Sequence, residues 1–98
     1  MVPQPVAKYE RRLTPHRREL LLRVFAGETP AQIATDLGRS RSTIANQISR
    51  ARARLSAPRD VDALVECLAS GIVTLDEILA RRQARRTKAQ EILLDRRY

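Results

Sequence analysis

Ninety-eight residues make one small domain, or one core with tails, and 19 basic against 11 acidic side chains leave a formal charge of +8. That balance favours a polyanion as partner. A single cysteine, Cys67, excludes an internal disulfide and a cysteine-rich zinc site, and no apolar run reaches membrane-spanning length.

The sequence also lacks a glycine-rich phosphate loop, a nucleophile motif and any set of ligands at metal spacing. Neither enzymatic activity nor a metal or other cofactor is expected. His16, the one histidine, falls in the first turn of a helix and reads as a surface residue. Tyr9, Phe25 and Tyr98 are too few to form a stacking platform for single strands. With no signal peptide ahead of the fold, a cytoplasmic location is expected.

In chain order, residues 1–12 contain Pro3, Pro5 and a mixed charged run, and read as a flexible amino-terminal arm. Thr14 and Pro15 start a first helix whose buried face is Leu20, Leu21, Val24 and Phe25, and Gly27 ends it. Thr29 caps a second helix, with Pro30 at its first position and Gln32 completing a capping box. Ile33, Ala34 and Leu37 fall on one side of that helix, and Gly38 supplies the left-handed turn after it.

Ser40 caps the third helix. Ile44, Ile48, Ala51 and Leu55 then recur at helical spacing and face a core. The opposite face offers Arg41, Ser42, Ala45, Asn46, Ser49 and Arg50. Arginine bonds guanine bidentately, asparagine does the same with adenine, and alanine suits a thymine methyl. A helix, a glycine turn and a longer helix with one apolar and one arginine-rich face outline a DNA-binding helix-turn-helix. Charge supports it: residues 39–59 hold six arginines and no acid, whereas residues 60–77 hold five acids and no base.

Ser56-Ala57-Pro58 breaks the chain. Asp60 caps a fourth helix with Val61, Leu64, Val65, Leu68 and Ile72 in one stripe and Gly71 near its end. Thr74-Leu75-Asp76-Glu77 is a second capping box, opening a long helix to about Arg96. Leu75, Ile78 and Leu79 of that helix are expected on the core. Its middle, Arg81 to Lys88, carries five bases and no acid. Its end, Ile92-Leu93-Leu94, is apolar again. The basic stretch reads as a solvated helix, a second phosphate-contacting element or a partner-protein surface. The fold class is therefore all-α, a small helix-turn-helix bundle of four helices plus a long carboxy-terminal helix, divided as 1–12, 13–72 and 73–98.

Residues 13–72 resemble the LuxR/GerE-type helix-turn-helix domain of bacterial transcription regulators. The resemblance is carried by Leu13-Thr14 with Glu19, in part by Phe25-Ala26-Gly27, and by Gln32-Ile33-Ala34-Thr35-Asp36-Leu37. It continues in Ser40-Arg41-Ser42-Thr43-Ile44-Ala45-Asn46-Gln47, in Arg54-Leu55, and in a following helix from Asp62 to Gly71. Arg39 stands where the family has an aliphatic residue, Ala45 where lysine is frequent, and Gln47 where histidine is common. An arm of about a dozen residues leaves no room for the receiver or ligand-binding domain that the family usually carries. The resemblance implies a third helix in the major groove and a fourth helix at a two-fold dimer contact.

These readings converge on a sequence-specific regulator that binds double-stranded DNA. Arg41, Ser42, Ala45 and Asn46 are the expected base contacts, and Thr29, Gln32, Ser49, Arg50 and Arg54 the phosphate contacts. Leu64 and Leu68 are assigned to the core, and Val61, Val65 and Cys67 to a candidate homodimer surface. The same fold occurs in the promoter-reading region of sigma factors. The alternative is thus a sigma-region-4-like module that docks on RNA polymerase, or another partner protein, through its carboxy-terminal helix. A DNA-bending architectural protein ranks last, for want of an intercalating wedge.

Overall fold

A computed structural model describes residues 13–95, and the predicted arm at 1–12 and the predicted helix end at Arg96 lie outside the described residues. Five helices follow in order: α1 Pro15–Phe25, α2 Pro30–Leu37, α3 Arg41–Arg54, α4 Asp60–Ser70 and α5 Leu75–Asp95. Among the described residues there is no strand, and the fold is an all-α bundle with a long last helix.

The caps form as the sequence dictates. Thr14 Oγ1 accepts the Arg17 N–H at 3.2 Å, and Pro15 occupies the first turn of α1. Thr74 and Glu77 satisfy each other's backbone N–H groups at the start of α5, at 3.0 and 3.2 Å. The start of α4 differs from expectation. Arg59, not Asp60, is its N-cap, and Asp62 accepts the Arg59 N–H at 3.1 Å while also binding its guanidinium. Asp60 instead turns to Arg52, at 3.1 Å.

The core gathers Leu20, Leu21 and Leu22 of α1, Ile33 and Ala34 of α2, and Ile44, Ile48 and Ala51 of α3. Leu55, Ala57, Ile72, Val73 and Ile78 close it, and Val24, Phe25 and Leu64 are only half-buried against it. Leu75 and Leu79, expected in the core, are exposed; of the first turns of α5 only Ile78 enters.

Helix α4 departs from expectation at two positions: Leu68, assigned to the core, is exposed, and Cys67, assigned to the surface, is buried. Ala63, Cys67 and Ser70 face inward, while Val61, Val65 and Leu68 are exposed. The two stripes share one period and lie about 160° apart, on nearly opposite sides of the helix. The smaller side chains bring α4 close to its neighbours and leave the larger ones on the shoulder. Cys67 is therefore not a dimer-surface residue: it is fully buried. Desolvation, helped by the Glu66 carboxylate, pushes its thiol up to about 11.

A buried ion network fixes α5 on the body. Arg23, 5% exposed in the last turn of α1, donates to Glu28 at 2.8 and 3.0 Å and to Asp36 of α2 at 2.6 Å. Glu28 also accepts from Arg81 of α5 at 3.2 Å. Nearer the start of α5, Arg18 binds both Glu77 and the Ile72 carbonyl, the latter at 2.8 Å. Burial alone would raise the Glu28 carboxyl; the two arginines outweigh it and hold that group below the usual carboxylate range.

Both the buried thiol and the ion network can be checked in solution. A thiol reagent should leave Cys67 untouched in the native chain and react once urea unfolds it; fast native labelling would contradict its burial. Glu28→Gln should cost about 3 kcal/mol in urea unfolding, because it strips one of the two carboxylates from buried Arg23 and leaves only Asp36. The stabilisation from Glu28 is complete above the unfolded carboxyl value, about 4.3, and fades as pH falls through the lower folded value. Wild-type stability should thus drop on acidification in that window, and Glu28→Gln should flatten the drop.

Candidate nucleic-acid interface

The geometry of α3 is set at its two neighbours. Gly38 adopts φ +64°, ψ +37°, which glycine reaches at little cost, and a Cβ there would meet open space. Its demand is conformational rather than steric. The Arg39 N–H then bonds the Ala34 carbonyl at 2.9 Å, closing α2 before α3 begins. Ser40 Oγ accepts the Thr43 N–H at 3.1 Å and donates to Thr43 Oγ1 at 2.7 Å, starting α3.

Ile44, Ile48, Ala51 and Leu55 are all buried, so the orientation of α3 is fixed by its own core stripe. At 100° per residue, Ser42, Asn46 and Ser49 project from the opposite side, with Arg50 beside them. All four are exposed, as are Arg41 and Ala45 at the edge of that face. Ser42, Ala45 and Asn46 share one acid-free surface, whereas Arg41, in the first turn, lies about 100° round the helix from Ser42, toward the core stripe. Arg54 is exposed in the last turn of α3, further round the helix.

Thr29 and Gln32 sit at the start of α2 and are exposed. Their oxygens are already engaged: Thr29 Oγ1 accepts the Gln32 N–H at 3.2 Å, and Gln32 Oε1 accepts the Thr29 N–H at 2.8 Å. What remains for a phosphate is the Thr29 hydroxyl proton and the Gln32 amide NH₂, both donors. Donors are what an anionic oxygen requires.

The basic stretch of 39–59 divides in the fold. Arg52 pairs with Asp60 at 3.1 Å and Arg59 with Asp62 at 3.0 Å, so the acids of α4 neutralise the two arginines next to them. Arg39, Arg41 and Arg50 form no ion pair among the described residues. The uncommitted charge therefore lies on the turn and on the exposed side of α3.

One neighbour of this face escaped the sequence. His16 Nε2 lies 2.8 Å from Gln47 Oε1, joining the first turn of α1 to α3. Gln47 is half-buried and turned toward α1, so it stands at the margin of the reading face. Its place beside Ile44 and Ile48 in the helical period signals a boundary position; nothing local signals His16 as its partner.

Residues 11–55 match the family model described as Sigma-70, region 4. The match spans α1 to α3 and less than half of the chain. No curated protein and no solved structure matches the chain. Match and geometry agree on a helix-turn-helix of the DNA-binding kind built from α2, the Gly38 turn and α3.

Proposed function

We propose that this chain is a transcriptional regulator that reads double-stranded DNA by inserting α3 in the major groove. The observation that carries this is the exposed, acid-free face of α3, held opposite a fully buried stripe. Arg41 suits guanine, Asn46 adenine, Ser42 either, and Ala45 a thymine methyl. Thr29, Gln32, Ser49, Arg50 and Arg54 hold the phosphates on either side. The protein binds rather than catalyses, and it works in the cytoplasm with the DNA it reads.

Two families supply parallels for this role. The LuxR/GerE motifs extend over 13–72, and the sigma region 4 match covers 11–55. Both make α3 the reading helix. In the LuxR-like arrangement the exposed Val61 and Val65 of α4, now with Leu68, form the contact of a homodimer. A two-fold axis there sets the two reading helices about 34 Å apart, one turn of DNA.

A second reading rests on a separate observation. Ile92, Leu93 and Leu94 are exposed on the distal part of α5, beyond its last packed residues. Three large apolar side chains on a free helix suit a protein groove. Together with the region 4 match, they support docking on RNA polymerase.

Asn46→Ala should weaken binding to a preferred duplex by about 1–3 kcal/mol and leave random-sequence binding nearly unchanged. Equal losses on both would remove Asn46 from base reading. For the second reading, Ile92, Leu93 and Leu94 are replaced together by serine, which keeps Arg81 on Glu28. Core polymerase should capture the wild type and not the variant; equal capture of both would exclude the distal helix from docking.

A further inference from the structure

Helix α5 is not an independent tail. Its residues 81–88 pass alongside residues 28–36, leaving an open groove of about 350 Å³ between α5 and α2. Glu28, Gln32 and Asp36 line one side, and Arg81, Arg85 and Lys88 the other. The bases on this segment are not equivalent. Arg81 is engaged, at 3.2 Å from Glu28 and 3.7 Å from Glu19. Arg82, Arg85 and Lys88 form no ion pair among the described residues, although, after the hydrogen bond from Arg23, the Lys88 charge reaching Asp36 across the groove helps to hold that carboxyl low.

Position makes those three side chains informative. A Cβ built on Gly27 would come within 3.3 Å of Arg82 Nη1 and 3.4 Å of Arg85 Nη1. Both guanidinium groups therefore lie over the turn that leads into α2. Arg85 and Lys88 share their groove with Gln32, a phosphate contact in the proposed complex. The paired arginines hold α5 in place, and the unpaired ones extend the basic surface of the helix-turn-helix beyond its own two helices.

We propose that Arg82, Arg85 and Lys88 form a second phosphate-contacting flank, which grips the DNA backbone beside the start of α2 and lengthens the footprint without reading bases. The proposal rests on the DNA-reading role of α3 and adds a partner for the α5 bases. Charge complementarity and continuity with Thr29 and Gln32 favour a nucleic-acid backbone over an acidic protein face. Guanidinium forks suit phosphate oxygens geometrically as well as electrically.

The test uses the full chain and a random-sequence duplex, titrated by fluorescence anisotropy at stepped salt. Each phosphate contact contributes about 0.9 to the slope of log affinity against log salt. Arg82→Ala with Arg85→Ala should lower that slope by about two, and Lys88→Glu by about one. Arg82→Lys with Arg85→Lys, which keeps the charge, should preserve most of it. An unchanged slope in the alanine pair and in Lys88→Glu would overturn the proposal, even if polymerase capture fell instead. Should the alanine pair fail to fold, Lys88→Glu at its exposed site decides the matter alone. Discrimination between a preferred and a scrambled duplex should stay as in the wild type. Loss of discrimination in the wild type itself would sink the base-reading role of α3 and leave the slope result to stand or fall separately.

Discussion

The buried guanidinium of Arg23 is the constraint on which this structure turns. A charge removed from water needs opposite charge and full hydrogen bonding nearby. Glu28 and Asp36 supply both, from the turn after α1 and from the end of α2. Glu28 reaches back because Gly27 adopts φ +102° and the Glu28 N–H bonds the Arg23 carbonyl at 3.0 Å. The same carboxylate then accepts from Arg81. One buried cation thereby links the relative placement of α1, α2 and α5, and α2 in turn seats α3.

Charge in this protein is sorted by the fold rather than spread. Arg18, Arg23, Arg52, Arg59 and Arg81 are tied to acids and serve the architecture. Arg39, Arg41 and Arg50, and on the other flank Arg82, Arg85 and Lys88, are left without such partners among the described residues. Net charge alone does not distinguish these groups. Paired surface arginines add little attraction for an anion, whereas unpaired ones displace the counterions of a nucleic acid and so draw it to the site.

Much of the local structure was legible in the sequence, because its causes are local. Thr14, Thr29, Ser40 and Thr74 each bond a backbone N–H three residues on. Gly38 takes the left-handed φ that its position suggested, and Gly27 and Gly71, read only as helix ends, take positive φ as well. The Ile44, Ile48, Ala51 and Leu55 stripe is buried as its period requires, and its burial decides which face of α3 is open. Where two helical stripes competed, periodicity had no power to choose. On α4 the apolar pattern pointed to Leu64 and Leu68, yet packing selected Ala63 and Cys67, left Leu64 half-buried and Leu68 exposed. Likewise Leu75 and Leu79 looked like core residues, but α5 meets the body through Ile78 and ion pairs. The Arg81–Glu28 and Arg18–Glu77 contacts join residues more than fifty positions apart, and nothing local in the sequence records them.

Sequence reading by the face of α3 is the claim on which the proposed function depends most. Selecting bound duplexes from a random DNA pool with the full chain measures that reading without needing a known target. The expected result is enrichment of one defined motif, with guanine and adenine at positions that lose their preference when Arg41 and Asn46 are replaced. Recovery of a pool no different from the starting one, under salt conditions where the chain still binds DNA, would contradict it.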